Sequence, residues 1–343
     1  MSARDHDPQG HDHQNHQSHQ NDPNHRPHQP HRHGHAAGPG HAPGPGHAPG
    51  PGHGHGHGHH DGSDVDWARL APLLTQQAET QIPLYAEAAA WLASLAPAAS
   101  VRRVLDFGSG PGVVTVLLAE AFPEAEVVAV DATPELLALA RERADARGVG
   151  DRVSTLRADL PEDFGALGTA DLVWASNSLH HIGDQRAALA AFADVLNPGG
   201  LIALAEGGLP CRHLPWNQGI GRPGLEARLD AANADWFGEM RAGLPDTKEE
   251  IDDWGALLAD AGLTLSGTRS FLCDVPAPLP AAVREQVVAH YARLREGLAE
   301  RLADDDLAAV DRLLDQADPL SLHQRPDLYL LTARTVHTAR KPA

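Results

Sequence analysis

Nine residues, Val104 to Gly112, reading VLDFGSGPG, restrict what this chain can fold into more than any other stretch. An apolar pair, Val104 and Leu105, delivers an acid, Asp106; glycines follow at alternate positions, Gly108, Gly110 and Gly112, and then an apolar run with helical character. That order predicts a strand, a tight turn and a helix start. Glycine at the turn permits positive φ and lets a ligand reach the main chain, while the helix start offers unpaired N–H groups and a positive dipole end. A polar small molecule is therefore expected at residues 108–112, Ser109 included. The dinucleotide fingerprint GxGxxG or GxGxxA needs Gly or Ala at its sixth position, where this chain has Val113, so a nicotinamide cofactor fits poorly.

The spacing downstream extends the pattern. A second strand, 125–130, ends in Asp131, which lies 23 positions after Gly108 and is followed by Ala132. A doubly wound α/β fold puts there the acid that accepts hydrogen bonds from a ribose. Thr133 and Pro134 read as the cap and first turn of the next helix, which Gly148 stops. A third strand, 153–157, precedes Ala158, Asp159 and Leu160, and a fourth, 171–175, opens into SNSLHHIGD. Ser176 and Asn177 thus fall at the carboxyl end of a central strand, where open α/β sheets place ligands. A helix over 185–196, a turn at 197–200 and a fifth strand over 201–205, ending at Glu206, complete the run.

DxGxGxG closing a first strand resembles motif I of the class I S-adenosylmethionine-dependent methyltransferases. The resemblance covers roughly residues 65–205 and the final strands. It implies a Rossmann-like, doubly wound sheet of seven strands with the last antiparallel and inserted between the fifth and sixth, the role expected for 328–336. It also implies that Asp106, Gly108, Ser109, Gly110, Gly112, Asp131, Ala132, Asp159, Leu160 and Asn177 hold S-adenosyl-L-methionine. In that frame Asp159 accepts from the adenine amino group, the Leu160 N–H meets the ring, and Asn177 holds the methionine end.

The reaction implied is in-line transfer of the cofactor's methyl group, for which the protein supplies position and exclusion of water. His180 and His181 carry two readings, one ring bridging loop and helix and the other facing the substrate as a base. His213, His290 and Glu206 are further candidate bases. The post-strand sequence is NSLH and not the NPPY-like form of nucleobase or glutamine-amide methylases. A small-molecule acceptor is expected, with oxygen favoured as the acceptor atom.

Around this core, 99–206, the chain divides by composition. Residues 61–98 read as a helical cap, with Pro72 and Pro83 breaking it into pieces and Tyr85 placed on an apolar stripe. Residues 207–246 mix polar and aromatic side chains without clean periodicity, as in an inserted lid. Residues 247–275 read as a core helix, with Thr247 and Glu250 as its capping box, followed by the sixth strand. Residues 276–326 form a helical insertion that can cap the site or pair subunits into a homodimer, and 327–343 hold the last strand.

Residues 1–60 hold 17 of the 23 histidines and no Val, Leu, Ile, Phe, Trp, Tyr or Cys. They cannot bury enough apolar surface to offset chain entropy and are expected to be disordered. Their histidines can wrap a divalent metal, which leaves open a metal-handling role as the alternative to an enzyme. The tail holds three Arg and four Asp, so the remaining chain carries −18 of the −19 total, which argues against nucleic acid or an anionic membrane as partner. Two cysteines make no disulfide framework, and neither a long apolar run nor a signal-peptide core is present, so a cytoplasmic protein is expected.

Overall fold

The computed structural model describes residues 67–160 and 163–343. The histidine-rich tail, with its expected disorder and metal binding, lies outside the described residues. Among the described residues no group of three or more His, Cys, Asp or Glu side chains is arranged to hold a metal. No described helix is long and apolar enough to cross a membrane.

Seven strands form one sheet: β1 (Arg103–Phe107), β2 (Glu126–Asp131), β3 (Val153–Arg157), β4 (Ala170–Ser176), β5 (Leu196–Arg212), β6 (Thr264–Val275) and β7 (Leu330–Arg340). Their order is β3-β2-β1-β4-β5-β7-β6. The first five run parallel, and β7 is antiparallel to both β5 and β6. This is the expected doubly wound Rossmann-like sheet. The order reverses between β1 and β4, which opens a crevice at their carboxyl ends.

Nine helices are described: α1 (Trp67–Thr80), α2 (Ile82–Leu95), α3 (Val113–Ala121), α4 (Pro134–Ala146), α5 (Gln185–Val195), α6 (Leu225–Ala242), α7 (Trp254–Asp260), α8 (Ala281–Gly297) and α9 (Asp304–Leu314). Alternation along each strand decides which helices it meets. Val104, Leu172, Trp174 and Ala203 face one way and share a core with Leu84 and Leu92 of α2, Leu118 of α3, Val287 of α8 and Val310 of α9. Leu105, Phe107, Val173 and Leu204 face the other way, against Leu189 and Phe192 of α5 and Leu257 of α7. Strands buried on both faces explain the near-continuous apolar runs.

Three local expectations are corrected. Pro72 does not break α1, because it removes a single early hydrogen bond and the helix continues to Thr80. Pro83, in contrast, sits in the first turn of α2, where its missing N–H matters least. The stretch expected as a lid from 207 is first a strand: β5 runs on to Arg212, pairing Leu209 with Ala333 and Arg212 with Leu331 past a bulge at Gly207 and Gly208. Its second half is α6.

The third correction concerns the cap of α7, which begins at Trp254 and not at Thr247. Asp253 is its N-cap, accepting from the Ala256 N–H at 3.0 Å, while Thr247 donates to the Arg241 and Leu244 carbonyls and Glu250 takes Arg186. Asp253→Ala is therefore expected to destabilise the protein by about 1 kcal/mol. Glu250→Ala removes a partly exposed ion pair, with Arg186 still held by Asp260, and no helix cap, so it should fall within about 0.5 kcal/mol of the parent; urea denaturation of the two variants separates the assignments.

Candidate functional site

The glycine turn closes over a buried acid. Asp106 is 2% exposed and accepts from Thr115 Oγ1, on α3, at 2.5 Å. Burial raises its carboxyl from the ordinary value to about 7, opposed by the Thr115 hydroxyl and reinforced by the nearby charge of Asp131. Gly112 has φ +74 and its α-carbon lies against α4, so that an added Cβ would stand 2.5 Å from Ala140 Cβ and 2.6 Å from Ala140 Cα. Gly110 also has positive φ, +52, but faces open space, with nothing within 4 Å of an added Cβ.

Asp131, at the carboxyl end of β2, turns toward this loop. Its Oδ2 accepts from the Gly110 N–H at 2.9 Å and its Oδ1 from the Thr133 N–H at 2.9 Å. The ladder brings β3 alongside, with the Ala158 N–H donating to the Asp131 carbonyl, so Asp159 and Leu160 emerge beside Asp131. The Asp159 side chain is exposed, its N–H donates to Asp163 Oδ2, and the Ala132 carbonyl accepts from Arg157 Nε. Asn177 leaves β4 with φ +50, and its Nδ2 donates to Ser176 Oγ. The buried Ser109 and Ser178 hydroxyls have no hydrogen-bond partner. Thus an open backbone cradle, a buried acid, exposed or half-exposed acids at neighbouring strand ends and two orphaned hydroxyls converge on one crevice. That set of donors and acceptors fits a cationic nucleoside cofactor.

Asn177 also borders a second space, a cavity of about 440 Å3 over the ends of β4, β5 and β7. Phe237 and Arg241 of α6 and Trp254 of α7 wall it, with His180, Glu206 and Arg334. Glu206, 4% exposed, accepts from the Ser178 and Leu179 N–H groups at 3.0 and 3.1 Å through Oε1 and places Oε2 3.2 Å from His180 Nδ1. A carboxylate there selects the Nδ1–H tautomer and leaves Nε2 as the acceptor. Phe237 meets the His180 ring edge-on, and Arg241 donates to the His180 carbonyl at 2.7 Å. His180 is thereby held from three sides. The His181 ring lies tilted beside it at 4.2 Å, and partial desolvation, with His180 and Arg241 next to it and Glu206 opposing, pushes His181 down to about 4.

His213 and His290 do not line this cavity. They meet each other at 5.3 Å in a buried group with Tyr291, whose hydroxyl donates to Glu226 at 2.9 Å. Tyr85 is mainly a core residue, edge-on to Trp174, yet its hydroxyl reaches 3.5 Å from Ser176 Oγ. Thr115, Arg241 and Arg334 were not marked as site residues by the sequence. Thr115 stands nine positions after Asp106, in the first turn of α3, which is a usable local cue; the arginines arrive through non-local contacts and leave no such cue.

A methyltransferase domain model matches residues 104–200. Over 263 residues the chain is 30% identical to a trans-aconitate 2-methyltransferase of Methylobacterium nodulans, an alignment that takes in 72% of this chain and 92% of that enzyme. The chain belongs to the class I S-adenosylmethionine-dependent methyltransferases. It is also 38% identical to a demethylmenaquinone methyltransferase of Thermus thermophilus over 108 residues, 31% of this chain and 47% of that enzyme. The chain thus spans nearly all of the first relative but about half of the second, and 28% of a Synechococcus protein that it matches at 37% identity. A solved O-methyltransferase family protein from Burkholderia thailandensis is similar at 21% identity over 56% of this chain and 54% of that one, with a TM-score of 0.40. In this methyltransferase family the cofactor is S-adenosylmethionine.

Proposed function

We propose that this methyltransferase holds S-adenosylmethionine in the cradle formed by Gly108, Ser109, Gly110 and Gly112, with Asp106, Asp131, Ala132, Asp159, Leu160 and Asn177 around it, and methylates an oxygen of a small molecule seated in the adjoining cavity. The single observation that carries the reading is Asn177: it ends the cofactor crevice and walls the cavity at once. Two reactants on either side of that residue meet without leaving the protein. When bound, the cofactor supplies an electrophilic methyl group on a sulfonium. Asp131 would hold its ribose and Asp159 its base. Where the acceptor oxygen is a hydroxyl, His180 Nε2 takes its proton, with Glu206 fixing the ring; a carboxylate oxygen carries no proton and needs only alignment. The cavity volume and the Methylobacterium relative, which by its name takes trans-aconitate, both support a small acceptor.

Calorimetry tests the reading. S-adenosylmethionine and its demethylated product should bind, and NAD should not. Asp131→Ala is expected to weaken cofactor binding roughly 10- to 100-fold, the range for hydrogen bonds to a charged group. Its melting temperature should stay within a few degrees, since only two loop amides lose their acceptor. Unchanged affinity in that variant removes Asp131 from the site. With labelled cofactor and a cell extract, label should appear in a small molecule; label confined to macromolecules would overturn the choice of acceptor.

A further inference from the structure

One side chain in the cavity lacks what its neighbours have. Arg334 lies on β7 opposite Gly208, where the bulge in β5 leaves so little room that an added Cβ at Gly208 would stand 3.0 Å from Arg334 Cα. Its guanidinium lines the cavity, and its Nε is buried without a hydrogen-bond partner. Arg186, Arg212, Arg222, Arg228 and Arg301 each hold a carboxylate, and Arg152 and Arg284, which have no ion pair among the described residues, are satisfied by backbone carbonyls. Among the described residues no ion pair is found for Arg334, nor for Arg241, which also lines the cavity and donates to the His180 carbonyl. Neither arginine on the cavity is neutralised by an ion pair, so the lining can take one anionic group.

Resting on the methyltransferase reading, we propose that Arg334, with Arg241, anchors a carboxylate of the methyl acceptor, making this enzyme selective for small organic acids. A guanidinium presents two parallel N–H donors that match the two oxygens of a carboxylate. Glu206 and Asp252 also wall the cavity, so its net charge is near balance; a singly charged planar group suits it better than a phosphate dianion. Glu206 makes no hydrogen bond or ion pair to Arg334; its partners are the Ser178 and Leu179 amides and His180. The anchored carboxylate is a handle distinct from the oxygen that faces His180, and it fixes which oxygen is presented.

The test is equilibrium binding to the full chain saturated with S-adenosylhomocysteine, using trans-aconitate as the probe acid and its neutral trimethyl ester as control. The acid should bind and the ester should not. Arg334→Met, which keeps the length and removes the charge, is expected to lower the acid's affinity roughly 10- to 100-fold. S-adenosylhomocysteine affinity should change less than about threefold in the same variant, and Arg334→Lys should restore part of the acid binding by returning the charge without the fork. Equal binding of acid and ester, no binding of the acid to the parent protein, or an Arg334→Met variant that binds the acid like the parent would each overturn the proposal. Failure of the parent to bind S-adenosylhomocysteine would instead strike the methyltransferase reading, so the two are separable.

Discussion

Gly112→Ala is expected to lower the melting temperature by about 5–9 °C, whereas Gly110→Ala, two residues away, should lower it by no more than about 3 °C and abolish cofactor binding at micromolar concentrations. Both positions have positive φ, which costs an alanine about 1–2 kcal/mol. At Gly112 the methyl group would also overlap Ala140, and because one of the atoms struck is the Ala140 α-carbon, a smaller side chain there gives no relief. The α3–α4 contact must open, bringing the total to roughly 3–5 kcal/mol. At Gly110 the methyl group enters open space. That space is where the cofactor is placed, so the penalty falls on binding. Differential scanning calorimetry and titration with S-adenosylhomocysteine, run on both variants, give the two readouts. Full affinity in Gly110→Ala would show that the cradle is not the cofactor site.

The second large effect comes from Asp106. Its carboxyl is raised from 3.8 to about 7 in the fold, mainly by burial. The folded protein therefore binds a proton that the unfolded chain has already released between those values, and stability falls as pH rises through that window. The full loss is on the order of 4 kcal/mol, of which roughly 2–3 kcal/mol falls between pH 5 and pH 8. Asp106→Asn removes this dependence. His181 and His290, depressed to about 4 and about 3, act in the opposite sense below pH 6.5, so the measured quantity is the difference between parent and variant across that range. The variant should gain on the parent by about 3–5 °C in relative melting temperature from pH 5 to pH 8 while binding the cofactor less well. A cationic cofactor favours the ionised acid, so binding to the parent near pH 6.5 should release a proton, and binding to the variant should release none. A parent and variant with parallel pH profiles would place Asp106 outside this role.

What the sequence makes legible is what is local. The β1–turn–α3 unit and the acids at the ends of β2 and β3 follow from short runs in which apolar periodicity, glycine and a carboxylate occur at fixed offsets, and the sheet order follows from the family resemblance. The extension of β5 is illegible because Leu209 and Arg212 belong to a strand only through pairing with Ala333 and Leu331, more than 100 positions away. Thr247 and Asp253 both satisfy the rule for a helix cap; only the packing of Trp254 and Leu257 into the core decides between them. His180 could be read as a candidate, but its selection over His213 and His290 depends on where Glu206 lies, and Arg334 owes its place to the register of an antiparallel strand.

Because β6 touches the sheet only through β7, it leaves the ribosome before the neighbour it needs. The parallel strands that carry the cradle are complete well before then. During synthesis the half that carries the proposed cofactor cradle can thus consolidate first, while the proposed acceptor site waits for the strand bearing Arg334. In a nascent chain halted in that interval, the unpaired β6 would offer a sticky border to other polypeptides.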